Sequence, residues 1–376
     1  MPINYPSKPP LRLAYFISSH GFGHASRSAA IMTAIHEQLP EIQFEIFSQI
    51  PGWFFTESIT EPYIYHPVQT DVGVIQNDPL VEDLRTTLLR LDGFYPLNIS
   101  WVSHLAEVIN TLKCDIVVSD ISPLGIAVAR AAGKPSVLVE NFTWDWIYEG
   151  YVDREPEFAR YITYLDKIFS NVNYHIQTQP VCVKYSSANM VVPPIARKPK
   201  ENCETTRARL GIGIDTPLIL ITMGGIQAEF NFLPNLQKHK DLTFVIPGAS
   251  KEISTDQNLI LLPHHSEFYH PDLVNCCTAV VGKAGYSTIA EAYHMLKPFG
   301  YINRSQFREA PVLGRFIQNS MSGIEIPEKA FTDGNCRYYI DRLLSMQSQP
   351  PIDANGADSV ASFVLDLIYH TTNVRV

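Results

Sequence analysis

The chain has 376 residues, 45% hydrophobic and 18% charged, with 29 Lys and Arg against 38 Asp and Glu for a formal charge of -9. That composition excludes a disordered or fibrous chain, and at roughly 150 residues per domain it points to two domains or one large one. The acidic balance and the lack of any basic run exclude a nucleic-acid scaffold, because phosphate backbones are met by clustered positive charge.

No run approaches the roughly 20 apolar residues of a spanning helix. The opening MPINYPSKPP has neither an apolar leader core nor a cleavage site, so a cytoplasmic location is expected. Cys114, Cys182, Cys203, Cys276, Cys277 and Cys336 show no CxxC spacing and no histidines at ligand intervals. They are expected to be reduced thiols, with no metal or other cofactor.

Short apolar runs alternate with longer amphipathic ones, which is the pattern of parallel strands covered by helices. In chain order the expected elements are a strand Leu11 to Ser18, a helix Ala25 to Leu39 and a strand Ile42 to Ser48. A helix around Leu97 to Lys113 follows, then a strand Asp115 to Asp120, a helix after Pro123 and a strand Pro135 to Asn141. The segment MVVPPIARKPKENCETTRARLGI, with Pro193, Pro194 and Pro199 and no apolar period, reads as a linker. Strands resume at Pro217 to Met223, Leu242 to Gly248, Asn258 to Leu262, Thr278 to Gly282, Pro298 to Asn303 and GIEIP, before a helix Asp358 to His370. The expected fold is therefore α/β, with two facing doubly wound Rossmann-like domains at 1–196 and 197–355. The remaining helix, 356–376, is expected to pack back on the first domain.

Open α/β sheets bind ligands beyond the carboxyl ends of their strands. After the first strand, SSHGFGHASRS brings Gly21 and Gly23 for a tight turn and His20 and His24 to the next helix. It is no dinucleotide fingerprint, since a third glycine and an acid after the second strand are missing. Asp120 closes its strand at the same edge, either as a carboxylate that orients the His24 imidazole or as a helix N-cap. Asn141, Trp144, Asp145 and Trp146 form either a sugar-binding wall or an interdomain core. In the second half, VVGKAGYSTIAEA puts Ser287 and Thr288 at a helix N-terminus suited to a diphosphate. Glu291, one turn on, either accepts from a ribose diol or complements the helix dipole. Gly224, Gly225, Ile226 and Gln227 form a turn where backbone can approach phosphate. Arg304, Arg308 and Glu309 follow another strand, as anion-recognising groups or as a solvated loop.

These residues resemble a known group. GFGH after the first strand and AGYSTIAE opening a later helix are similar to the GT-B fold of nucleotide-sugar glycosyltransferases. HGFGHASR, VVSDISPLGIAVARAAGKPSVLVENFTWDWIYEGYV, GKAGYSTIAEA and NRSQFREAPVL most resemble the glycosyltransferase-like N-terminal region of plant arabinokinase. No ATP loop of a sugar-kinase module is visible, so a fused kinase is not expected. The resemblance implies His24 as general base with Asp120 in support, and Glu291 on a ribose, since Gly285, Thr288 and Glu291 keep a Gly-x-x-Thr-x-x-Glu spacing. It further implies Gly224, Gly225, Gly285, Ser287 and Thr288 around nucleotide and diphosphate, and Gly23, Asn141, Trp144, Arg308 and Glu309 around sugar or acceptor. The tryptophan-bearing signature of the plant enzymes is absent, Lys283 or a neighbour takes the place of its phosphate-binding histidine, and the usual acid-glutamine pair for the donor sugar is not recognisable.

The expected function is transfer from a nucleotide-sugar, read as a UDP-sugar, to an acceptor hydroxyl with inversion and without a metal. The expected partners are that small-molecule donor and an unidentified acceptor. Two alternatives use the same fold. A nucleotide-sugar hydrolase would use a Gly-x-Gly-His-x-x-Arg turn matched by Gly21, Gly23, His24 and Arg27; the other is a binding module without turnover.

Overall fold

The computed structural model describes residues 10–78, 80–224, 230–304, 306–347 and 353–373. Sixteen strands are described: β1 (Arg12–Ile17), β2 (Gln43–Ser48), β3 (Tyr63–Pro67), β4 (Gln76–Asp78), β5 (Val81–Glu82), β6 (Ile116–Asp120), β7 (Ser136–Glu140), β8 (Tyr174–Thr178), β9 (Met190–Val192), β10 (Leu218–Thr222), β11 (Thr243–Pro247), β12 (Ser254–Asp256), β13 (Leu259–Leu262), β14 (Ala279–Lys283), β15 (Phe299–Ile302) and β16 (Gly323–Glu325). They form two seven-stranded sheets in the orders β3-β2-β1-β6-β7-β8-β9 and β12-β13-β11-β10-β14-β15-β16, beside a small β4-β5 hairpin. The first sheet is parallel throughout. In the second, β12 alone runs antiparallel to its neighbour.

Both faces of each sheet are covered, and the strands show why. Leu13, Tyr15 and Ile17 of β1 enter one core with the Phe22–Gln38 helix, while Ala14 and Phe16 enter another with the helices Ile99–Thr111 and Pro123–Ala132. Likewise Leu218 and Leu220 of β10 face one core of the second sheet, and Ile219 and Ile221 the other. Strands buried on both sides read as continuous apolar runs, which is what makes them visible in the sequence. The helix Gly356–Asn373 packs on the Phe22–Gln38 helix. It places Val360, Val364, Leu365 and Ile368 in the first domain's core, each such side chain contributing about 1.5–3 kcal/mol before ordering costs.

Four stretches differ from expectation. The linker segment is partly structured: β9 pairs with β8, and Cys203–Arg209 is a helix whose N-cap Asn202 accepts the Thr205 N–H at 2.8 Å. A three-residue edge strand is too short to show a period, and the prolines fall between the two elements. β3 and β8 were not anticipated because polar or half-exposed positions interrupt them. The Phe22–Gln38 helix begins earlier than expected, which puts His24 inside its first turn.

Candidate active site

Parallel pairing of β1 with β6 sets Ile17 beside Asp120. The turn leaving β1 therefore opens directly over the Asp120 carboxylate. His24 and Arg27 lie one helical turn apart, on the same face of their helix, and both reach that carboxylate. His24 Nδ1 is 2.8 Å from Asp120 Oδ1. Arg27 donates from Nε to Oδ2 at 2.7 Å and from Nη2 to Oδ1 at 2.6 Å. Burial works to raise the Asp120 pKa, but the Arg27 guanidinium and the His24 hydrogen bond overcome it and hold the acid below its ordinary range. A charged carboxylate on Nδ1 fixes the proton there and leaves His24 Nε2 as an acceptor toward the cleft that the residue lines. Burial pushes the His24 pKa below 6.5, with Arg27 acting in the same direction and Asp120 opposing. Asp120 does not cap the next helix; Ser122 does, accepting the Gly125 N–H at 3.1 Å.

Arg27 is fully buried and extends the network further. Its Nη1 donates to Asn141 Oδ1 at 2.8 Å, and Asn141 Nδ2 donates across the domain boundary to Glu309 Oε1 at 2.6 Å. Its guanidinium also lies over the Tyr286 ring of the second domain, 4.7 Å from the centroid. Asn141 and Glu309 both line the cleft, and burial raises the Glu309 pKa.

Three neighbouring strands of the second sheet, β10, β14 and β15, end facing this network. Register pairs Thr222 with Gly282 and Lys283 with Ile302, so Gly224, Lys283 and Arg304 emerge together and all line the cleft. Gly224 has φ +78, the left-handed region glycine favours, and a side chain there would approach Lys283 Nζ to 3.7 Å. The Tyr286–His294 helix starts after Gly285 with no side-chain cap. Its first-turn N–H groups are therefore available to an anion, with Ser287 and Thr288 lining the same space. The Phe22–Gln38 helix is likewise uncapped by any side chain, and a Cβ on Gly23 would lie 3.9 Å from Ser287 Oγ. Two helix N-termini, each a partial positive charge, thus meet from opposite domains. Lys283 makes no ion pair with a described residue, and burial pushes its ammonium down to about 7.

Other anticipated positions fall elsewhere. Trp144 is no wall of the cleft: it is fully buried and its Nε1 donates to Asp71 Oδ2 at 2.9 Å. It supports the site from behind, with ring centroids 5.1 Å from His20 and 6.3 Å from His24. Arg308 stacks on Trp146 and bonds to the Trp146 carbonyl and Glu149, away from the cleft lining. Glu291 is buried and both its oxygens are engaged: Arg197 Nε donates to Oε1 at 3.0 Å, and His270 Nδ1 lies 2.8 Å from Oε2. As the structure stands, it offers no open carboxylate to a ribose. Gly225, Ile226 and Gln227 lie outside the described residues.

Sequence reasoning placed Arg197 only at a domain boundary and gave His270 no part. Arg197 is sandwiched between the rings of Phe54 and Tyr269, each 5.0 Å away, and lines the cleft with His270. No local pattern pairs residues 94 positions apart. Arg27 entered the sequence reading only through the hydrolase-like turn, although its spacing from His24 already puts both on one helix face and so toward Asp120.

Between the domains the cleft is lined by Phe22, Trp53, Phe54 and Phe268 and by Phe142 and Phe307, with the Phe142 ring edge-on to both His24 and Phe307. Among the described residues no helix is long and apolar enough to cross a membrane.

A family model described as Glycosyl transferase family 1 matches residues 11–343. The chain is 26% identical over 358 residues to L-arabinokinase of Arabidopsis thaliana; the match covers 93% of this chain and 34% of that protein, so the chain spans about a third of that relative's length. A UDP-glucosyltransferase from Polygonum tinctorium, capable of glucosylating indoxyl and solved with 3,4-dichloroaniline, superposes with TM-score 0.60 at 11% identity, covering 96% of this chain and 99% of that one. Arabidopsis thaliana UGT89C1 complexed with UDP superposes with TM-score 0.61 at 10% identity, covering 96% and 100%. These likenesses establish the GT-B architecture of two facing Rossmann-like domains.

Proposed function

Because the chain belongs to glycosyl transferase family 1, we propose that it moves a sugar from a UDP-sugar to an acceptor hydroxyl with inversion at the anomeric carbon. The observation that carries this reading is the 2.8 Å contact of His24 Nδ1 with Asp120, which leaves Nε2 for a cleft that also receives the N-terminus of the Tyr286–His294 helix. The acceptor hydroxyl gives its proton to His24 Nε2 while its oxygen bonds to the anomeric carbon from the face opposite the diphosphate. The bond from that carbon to the β-phosphate oxygen breaks, and UDP leaves with the electron pair. Asp120 stabilises the imidazolium that forms, and a positioned base of this kind contributes roughly 10²–10⁴ in rate.

Charge on the departing diphosphate meets the N–H groups at Ser287 and Thr288 and the Lys283 ammonium, which supports a reaction that needs no metal ion. The likeness to a UDP-bound fold supports the choice of base. The test is incubation with UDP-sugars, with and without hydroxylated acceptors, following UDP release and the anomeric configuration of the product by NMR. Inverted product, lost by at least about a hundredfold in His24→Ala, is expected; retained configuration or an unaffected variant would overturn the reading.

A second reading rests on Arg27, whose grip on Asp120 completes the Gly-x-Gly-His-x-x-Arg turn of a nucleotide-sugar hydrolase. Release of free sugar at the same rate with or without any acceptor would favour it. Tight UDP-sugar binding with no product, unchanged in His24→Ala, would instead indicate a binding module.

A further inference from the structure

The turn between β1 and the Phe22–Gln38 helix holds a second imidazole, His20, which also lines the cleft. Its Nδ1 accepts the Val74 N–H at 3.3 Å, so the neutral ring carries its proton on Nε2. Burial lowers its pKa well below 6.5, and Arg304, His24 and Lys283 act in the same direction. The Nε2 position makes no hydrogen bond with a described residue.

The ring's placement is closely determined. It lies nearly parallel to Phe307, centroids 6.2 Å apart, and edge-on to Trp144. Gly73, at φ +67, closes over it from the 70–75 loop; a Cβ there would fall 2.8 Å from His20 Nδ1. The Tyr148 hydroxyl pins that glycine by donating to its carbonyl at 2.8 Å. His24 packs on the same indole. The two rings therefore present complementary atoms, an accepting Nε2 on His24 and a donating Nε2–H on His20.

Charge narrows what faces them. Around the cleft Arg27, Lys283, Arg304 and Arg197 stand against Asp120, Glu82, Glu309 and Glu291. Once a donor diphosphate is added, each of these cations has an anionic partner. A neutral oxygen is therefore the group best matched to the neutral His20 ring.

We propose that His20 orients the acceptor by donating from Nε2 to an oxygen beside the hydroxyl that His24 deprotonates, so that the acceptor is a polyhydroxylated molecule, a sugar or cyclitol, and not an isolated phenol. This rests on the transferase reading above. Two oxygens on adjacent carbons can be engaged together by one acceptor and one donor, whereas a single hydroxyl on His24 Nε2 leaves the His20 N–H without a partner on the acceptor.

The test is a long-range proton–nitrogen correlation of the histidine rings in the labelled full chain, assigned with His20→Phe and His24→Phe. Spectra are taken free, with UDP, and then with myo-inositol, methyl glucoside or p-nitrophenol added. The expected result is His20 protonated on Nε2 and His24 on Nδ1, with both Nε2 signals moved by the polyols and not by the phenol. A proton on His20 Nδ1, or UDP-loaded protein in which no polyol moves His20, overturns the proposal and leaves the transferase reading standing. Failure of UDP to bind overturns that reading and the proposal with it. Kinetics add a second arm: for a polyol that is glycosylated, His20→Phe raises the acceptor KM about tenfold with the UDP Kd within about twofold of the parent, and His20→Gln recovers most of the loss. A fall in kcat at unchanged KM, with no recovery by glutamine, counts against it.

Discussion

Arg27 holds both oxygens of Asp120, and one of them, Oδ1, is the same atom that receives His24 Nδ1. Asp120 and Arg27 are each buried to within 1% of completely, so each is the other's principal compensation in a medium where an unpaired ion costs several kcal/mol. Asp120→Asn is expected to destabilise the fold by about 3–5 kcal/mol, since it strands the guanidinium. Denaturant midpoints read this directly. A midpoint equal to that of the parent would mean that Arg27 is neutralised by some other group.

The pH dependence of turnover follows from two shifts of the same sign at two different groups. His24 is pushed below 6.5, so the base is unprotonated at neutral pH and kcat/KM falls only on the acid side of that value. Lys283, lowered to about 7, loses its charge as pH rises through neutrality and donor binding weakens. A bell with its acid limb below pH 6.5 and its alkaline limb beginning near 7 is expected. An acid limb centred above 6.5 would contradict the buried, neutral His24.

Diphosphate favours the ammonium form of Lys283, so UDP binding is expected to take up a proton at pH 8. Calorimetry in buffers of different ionisation enthalpy measures that uptake. Lys283→Met is expected to abolish it and to weaken UDP at least about tenfold, the scale of one charged hydrogen bond. A chelator is expected to leave UDP affinity unchanged; a chelator-sensitive affinity would place a metal ion at the diphosphate.

Glu291→Gln separates a role in holding Arg197 from a ribose contact. The carboxylate compensates the buried Arg197, so its loss is expected to destabilise the nucleotide-free protein by about 3 kcal/mol or more. A residue serving only a bound ribose would leave the free protein's melting curve where it was. The same variant measured with UDP shows whether His270 or Arg197 gives way when nucleotide enters.

Much of this architecture was legible because buried parallel strands are apolar runs and the helices between them keep their period. The approach of His24 to Asp120 was legible too, since both follow adjacent strands at their carboxyl ends. What escaped was everything set by how side chains turn within that frame. Trp144 and its neighbours have a composition compatible with either a sugar wall or a core, and only the position of Asp71 decides it. Glu291 keeps a familiar spacing along its helix, yet its partner Arg197 arrives from a segment whose prolines disguise it as a linker. Arg308 and Arg304 lie four positions apart with similar chemistry, but one stacks on Trp146 while the other lines the cleft and reaches Glu82. Contacts across the two domains depend on their mutual orientation, which no local pattern encodes.

The helix Gly356–Asn373 imposes an order on the protein's birth. Val360, Val364 and Ile368 complete the core built on β1 and β2, yet the ribosome adds them after every strand of the second sheet. The half of the molecule made first must wait, one apolar flank bare, while the half made second can close around its own sheet. Vectorial folding is inverted here: a chain stalled or cut before residue 356 would carry a finished second domain and an open first one, a natural client for chaperones and a ready substrate for proteases.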